Sequence, residues 1–192
     1  EDGSDLFPGI DDSTISQAIK DIQPKLASWI DMSDESQIVK SGSSISRIND
    51  KSGNDNDLVQ SSASRQPQFN SSDSDFNNKS TVSFDGSDDY MDFNTSLIQS
   101  GEMSMFFIAE AETKSYQAYL GKHDSSGGNQ LVFGSYLGWH LRLPGGSYTE
   151  YNKSDITTKH LVEAHITKSG SDLIADSYMN GTLIKEDYQT SG

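Results

Sequence analysis

The chain has no cysteine, only four prolines and, against 29 acidic residues, only 14 lysines and arginines in 192 positions. Without cysteine there are no disulfides and no thiolate metal sites, so burial and hydrogen bonding must carry the fold. The formal net charge of −15 repels phosphate backbones and anionic lipid faces, and nucleic acid is not an expected partner. No apolar run approaches the roughly 18 residues of a membrane span, so helical membrane insertion is not expected. No basic-then-apolar signal peptide opens the chain, and its first residue is Glu1, so the sequence reads as a processed or partly represented polypeptide. Its length suits one sandwich of the class of about 200 residues and is thin for two domains.

Residues 1–26 read as an acidic, irregular tether followed by a short amphipathic helix. Asp12 or Ser13 can cap it, and Ile15, Ile19, Ile22 and Leu26 recur as a narrow apolar seam of coiled-coil type, interrupted by Pro24. Such a seam can bundle protomers or lie against its own domain. Residues 27–192 read as one all-β domain. From Ser33 to Phe76 the chain is dense in Ser, Asn, Asp and Gly, with apolar islands at Ile45–Ile48, Leu58–Val59 and Phe69 at the intervals of short strands. Thr81–Phe93 reads as strand, tight turn at Gly86, strand, a hairpin. Strands are then expected at 103–109, 117–121, 131–136 and 138–143, with Pro144-Gly-Gly146 as a turn. Val162, Ala164 and Ile166 alternate onto one face, and Asn180-Gly181 between two β-runs is a strong hairpin signal.

Phe84-Asp-Gly-Ser-Asp-Asp-Tyr90 resembles the signature of laminin-G-like, concanavalin-A-type jelly-roll domains of secreted and phage-borne proteins. Trp29–Asp34, Ile45–Asn54 and Ser64–Phe69 are similar to the three blocks that precede it in that family, in the same order, so the resemblance runs over residues 27–190. It implies a concanavalin-A-like antiparallel β-sandwich (jelly roll) with a short N-terminal helix. It also implies a further apolar C-terminal strand that does not follow Tyr188, so the domain reads as C-terminally incomplete, or completed by a neighbouring chain. Three uses follow from the family. The first is a non-catalytic recognition or adhesion module, extracellular or on a virion surface, as in a phage fibre or decoration protein or a bacterial surface protein, binding cell-surface carbohydrate. The second is a purely structural module contacting other virion or surface subunits, with a homo-oligomer, a trimer, formed through the N-terminal helix. The third is a glycan-cleaving enzyme.

The third lacks its machinery. Glycosidases of this fold set two carboxylates on one strand as Glu-x-Asp-x-x-Glu or Glu-x-Asp-x-Glu, and the nearest pair here is Glu110-Ala-Glu112, at a strand end. His123, His140, His160 and His165 show no metal-ligand spacing, and no Gly-x-Ser-x-Gly elbow occurs. A His–Tyr lyase site assembled in space stays open, while the chain is read as no enzyme. For calcium, Asp50, Asn54 and Asp57 place oxygens around a glycine turn, suited to a hard cation; the alternative is an Asx-rich turn bonded to its own backbone. Asp85, Asp88 and Asp89 carry the same pair of readings. For a glycan, Tyr136, His140, Arg142, Tyr148, Tyr151 and Asn152 combine aromatic faces with polar groups, the vocabulary of a sugar site; ordinary core and rim residues are the other reading.

Overall fold

A computed structural model describes residues 26–94, 97, 102–111, 117–122, 131–135, 139–143, 149–151 and 158–189. The expected N-terminal helix lies outside the described residues except for Leu26 and Ala27, which are not helical. The chain forms two compact units, residues 1–97 and 98–192. Nearly all of the regular structure is antiparallel sheet, so the all-β class holds. Among the described residues no helix is long and apolar enough to cross a membrane, which says nothing of membrane β-barrels.

The first unit is a six-stranded sheet of β1 (Ile38–Ser41), β2 (Ser44–Ile48), β3 (Leu58–Val59), β4 (Gln68–Asp73), β5 (Lys79–Ser83) and β6 (Asp92–Phe93), ordered β5-β4-β2-β3-β6 with β1 also on β2. The apolar islands are its inner strands. Ile45 and Ile48 are both fully buried although three residues apart, a spacing that plain alternation would send to opposite faces. The register supplies the reason: Val39 opposes Arg47 and Lys40 opposes Ile45, so Ser46 is the extra residue of a β-bulge that resets the alternation. With Ile38 and Phe69 they form the core of this unit, against which Ile30, Met32, Leu58, Val82 and Met91 pack.

The expected hairpin at Thr81–Phe93 does not form. β5 pairs with β4 and β6 with β3, at opposite ends of the strand order, so the two runs flanking Gly86 do not pair with each other. Gly86, with φ of 72°, does bend the chain here. A local turn signal reports curvature and carries no information about the partner strand, and here long-range bonds from Gln60 and Arg65, described below, take the chain across to the other edge.

The second unit holds two four-stranded sheets. One is β14 (Thr182–Gln189), β13 (Asp172–Met179), β12 (His160–Ser169) and β7 (Met103–Ala109) in that order; the other is β11 (Thr149–Tyr151), β10 (Trp139–Arg142), β9 (Leu131–Ser135) and β8 (Gln117–Lys122). They share one core. Leu141 and Leu143, from β10 and the residue beyond it, pack with Val162, Ala164 and Ile166 of β12 and Ala175 and Met179 of β13, all buried. This is sheet-on-sheet packing, a β-sandwich. The Asn180-Gly181 hairpin forms as expected, with positive φ at both residues, 50° and 73°, and Met179 opposite Thr182, as a primed two-residue turn demands.

Candidate functional site

The loop from Asp50 to Asp57 is the most densely bonded polar segment of the first unit. Asp50 Oδ1 accepts from the backbone amides of Trp29 (2.7 Å) and Ser52 (2.9 Å), and Oδ2 from Ser52 Oγ (2.6 Å) and the Asn56 amide (3.1 Å). Asp57, 7% exposed, accepts the Asp50 amide on one oxygen (2.8 Å) and Arg47 Nε (2.9 Å) and Nη2 (2.6 Å) on the other. The Asn54 side chain donates to Leu26 O (2.8 Å) and that of Asn56 to Ala27 O (2.6 Å). Lys51 donates its amide to Trp29 O (2.9 Å), while its ammonium group lies over the Trp29 ring and 3.0 Å from both Asp31 Oδ2 and Asp34 Oδ2. The structure therefore brings Asp50, Asn54 and Asp57 together as a clasp on residues 26–34. A calcium ion needs about six to eight oxygens turned toward one point. Here the carboxylate oxygens already receive N–H and O–H donors and the Asn54 amide nitrogen faces a carbonyl, so the donor set as arranged does not fit the ion. The acceptors were legible from spacing, but two of their donors were not: the Trp29 amide on Asp50 lies 21 residues away and the Arg47 guanidinium on Asp57 lies 10 away.

The turn after β5 has the same character. Asp85 Oδ1 accepts the amides of Ser87, Asp88 and Asp89 (2.8–3.3 Å), and Asp89 Oδ2 accepts the Asp85 amide (3.1 Å). These amide bonds hold the exposed Asp85 carboxyl below the usual carboxylate range. Tyr90 is tied down at both ends of its peptide unit, its amide to Arg65 O (3.3 Å) and its carbonyl to the side chain of buried Gln60 (2.9 Å). The Asp85, Asp88 and Asp89 carboxylates lie within 4.8 Å of one another on an exposed turn, where Asp85 and Asp89 cap the backbone and Asp88 Oδ2 lies 3.7 Å from Arg65 Nε.

Of the expected glycan residues, Tyr136, Tyr148 and Asn152 lie outside the described residues. His140, Arg142 and Tyr151 occupy β10 and β11, where Trp139 opposes Tyr151 and His140 opposes Glu150. Glu110 follows the end of β7 with buried Ala111 beside it, and Glu112 lies outside the described residues. No family model, curated protein or solved structure matches the chain. The reading of its surface therefore rests on its own side chains. His160 is bound locally, its ring nitrogens 3.1 Å from Asn180 Nδ2 and 3.2 Å from Thr158 Oγ1.

His165 belongs to a surface that sequence reasoning did not single out. On the side of β7-β12-β13-β14 away from the core, the register aligns Phe106, Glu163, Tyr178 and Leu183 in one row across four strands. Ser104, His165 and Asp176 form the next row. The His165 ring meets Phe106 and Tyr178 edge-on, at 5.7 and 5.5 Å between centroids, and its Nδ1 is 2.9 Å from Ser104 Oγ. Phe106 is 58% and Ile108 60% exposed, high for such side chains in so polar a protein. Met103–Ala109 reads from the sequence as a buried strand, but one face of it is exposed, because a nearly continuous apolar run hides which parity faces water.

The clasp sets a pH dependence. Burial pushes the Asp31 and Asp50 carboxyls up, but bonds from Ser33 and Lys51 to the first, and from Ser52 and the amides of Trp29, Ser52 and Asn56 to the second, outweigh it and leave both below their ordinary value. Their stabilisation is complete above the ordinary value and is lost as pH falls through the lowered one, an acid limb below about pH 4. For Lys51, burial acts downward and the bonds to Asp31 and Asp34 prevail, raising it. Its contribution is complete below the ordinary lysine value and is lost above about pH 10. Melting temperature against pH should show both limbs, and Lys51→Met should remove the lysine part of the alkaline one; an unchanged alkaline limb would disprove the assignment.

Proposed function

We propose that the chain is a laminin-G-like, concanavalin-A-type jelly-roll module, acting without catalysis as the recognition or adhesion part of an exterior protein, such as a phage virion fibre, a decoration protein or a bacterial surface protein, and engaging cell-surface glycans. The observation that supports this reading is the antiparallel sandwich of the second unit, whose strand β10 carries His140 and Arg142 at alternate positions, with Tyr151 on the adjacent strand β11 opposite Trp139. Flanked by Tyr136, Tyr148 and Asn152, they are the first residues to test. Aromatic faces for sugar C–H groups, with Arg and amide groups for hydroxyls, are what such recognition requires. The double variant His140→Ala/Arg142→Ala, at the positions of β10 that alternate with buried Leu141, should abolish retention on a glycan array while leaving the melting curve in place; an unchanged array profile would remove these residues from the site.

A structural module is the second reading, with other virion or surface subunits as partners and trimerisation through the N-terminal helix. The clasp of residues 26–57 favours it, because its polar side chains are spent on holding the chain's own backbone. The two readings separate on whether any glycan retains the full chain.

A further inference from the structure

Resting on the recognition reading, we infer that the outer face of the β7-β12-β13-β14 sheet is a second glycan-contact surface, and that its ligand is an uncharged hexose polymer. The face offers two kinds of group side by side. Phe106 and Tyr178 flank Glu163 in one row, and Ser104, His165 and Asp176 lie in the next. Aromatic rings cover the C–H faces of a pyranose, and carboxylates and a hydroxyl receive its O–H donors. The rings are held in place: His165 is wedged between Phe106 and Tyr178 and fixed by Ser104, so the aromatic surface is ordered before a ligand arrives. Charge selects among ligands. Glu163, whose carboxylate lies 3.9 Å from His165 Nε2, and Asp176 are on the two middle strands of the face, on a chain of net charge −15, which turns away uronate, sialate and phosphate polymers. The same carboxylates argue against a second copy of the chain as the occupant, because a face-to-face pair would set acidic centres against each other.

The test uses the full chain in native gels cast with a neutral β-glucan or a neutral mannan, and with polygalacturonate as the acidic counterpart. At least one neutral polymer should retard the protein and polygalacturonate should not. Phe106→Ala and Tyr178→Ala should each weaken that retention about tenfold. Phe106 is 58% exposed, so its variant should melt with the parent. Retention of Phe106→Ala and Tyr178→Ala at parental strength overturns this inference and leaves the recognition reading standing. Preference for polygalacturonate, or a concentration-dependent dimer abolished by Phe106→Ala, overturns it as well. A parent retained by no glycan overturns both it and the recognition reading.

Discussion

Asp50→Ala should lower the unfolding free energy by about 2–4 kcal/mol in denaturant titrations, a large effect for a side chain that ends in a surface loop. Its carboxylate accepts four hydrogen bonds, three of them from backbone amides. Bonds to a charged acceptor contribute about 1.5–3 kcal/mol each when measured singly and do not add. Deleting the acceptor leaves the part-buried amides of Trp29, Ser52 and Asn56 to find water, and frees the crossing between residues 26–30 and the loop. Asp50→Asn should cost less, about 1–2 kcal/mol. It keeps one carbonyl oxygen for Trp29 and Ser52, while its new N–H₂ group meets the Asn56 amide donor to donor. Excess calcium or a chelator should leave the parental melting curve where it is. A calcium-induced rise that Asp50→Ala abolishes would restore an ion site at this loop, and an Asp50→Ala protein as stable as the parent would end the clasp.

The same loop marks the boundary of what the sequence disclosed. That Asp50, Asn54 and Asp57 share a glycine turn was legible from spacing, because Asx residues around a tight turn leave a local signature. Their role as a clasp depends also on distant backbone, the Trp29 amide on Asp50 and the Leu26 carbonyl that Asn54 reaches, which no local pattern encodes. Except for β11, the strands of the second unit were legible to within a residue or two, since period-2 alternation at Val162, Ala164 and Ile166 and the Asn180-Gly181 turn are local too. Pairing was not. Thr81–Phe93 has the composition of a hairpin, yet its two runs join different neighbours, because Gln60 and Arg65 secure Tyr90 from outside the segment. The bulge at Ser46 was equally silent: it shows only as two isoleucines buried at a spacing that a regular strand forbids. The aromatic row on β7 and β13 needed register, which brings Phe106 and Tyr178 to either side of Glu163 from positions more than 70 residues apart.

Leu141→Ala should cost about 3 kcal/mol, within the range of about 2–5 for a large aliphatic side chain removed from a closed core. Leu141 is fully buried and meets residues of β12 and β13 from the opposing sheet, so the lost methyl groups leave a void between two layers of strands. Strands anchored by their ladders on both sides collapse poorly onto such a void, which places the cost near the middle of the range. Leu141→Met, nearly volume-conserving, should cost less than about 1.5 kcal/mol. Leu183, 44% exposed on the outer face of the other sheet, provides the contrast: Leu183→Ala should change stability by about 0.5–1 kcal/mol, because most of its surface already meets water. Chemical denaturation of the three variants beside the parent reads all of this directly. If Leu141→Ala and Leu183→Ala proved equally mild, the two sheets of residues 103–189 would not share the core described here, and the sandwich on which the recognition reading depends would fall with it.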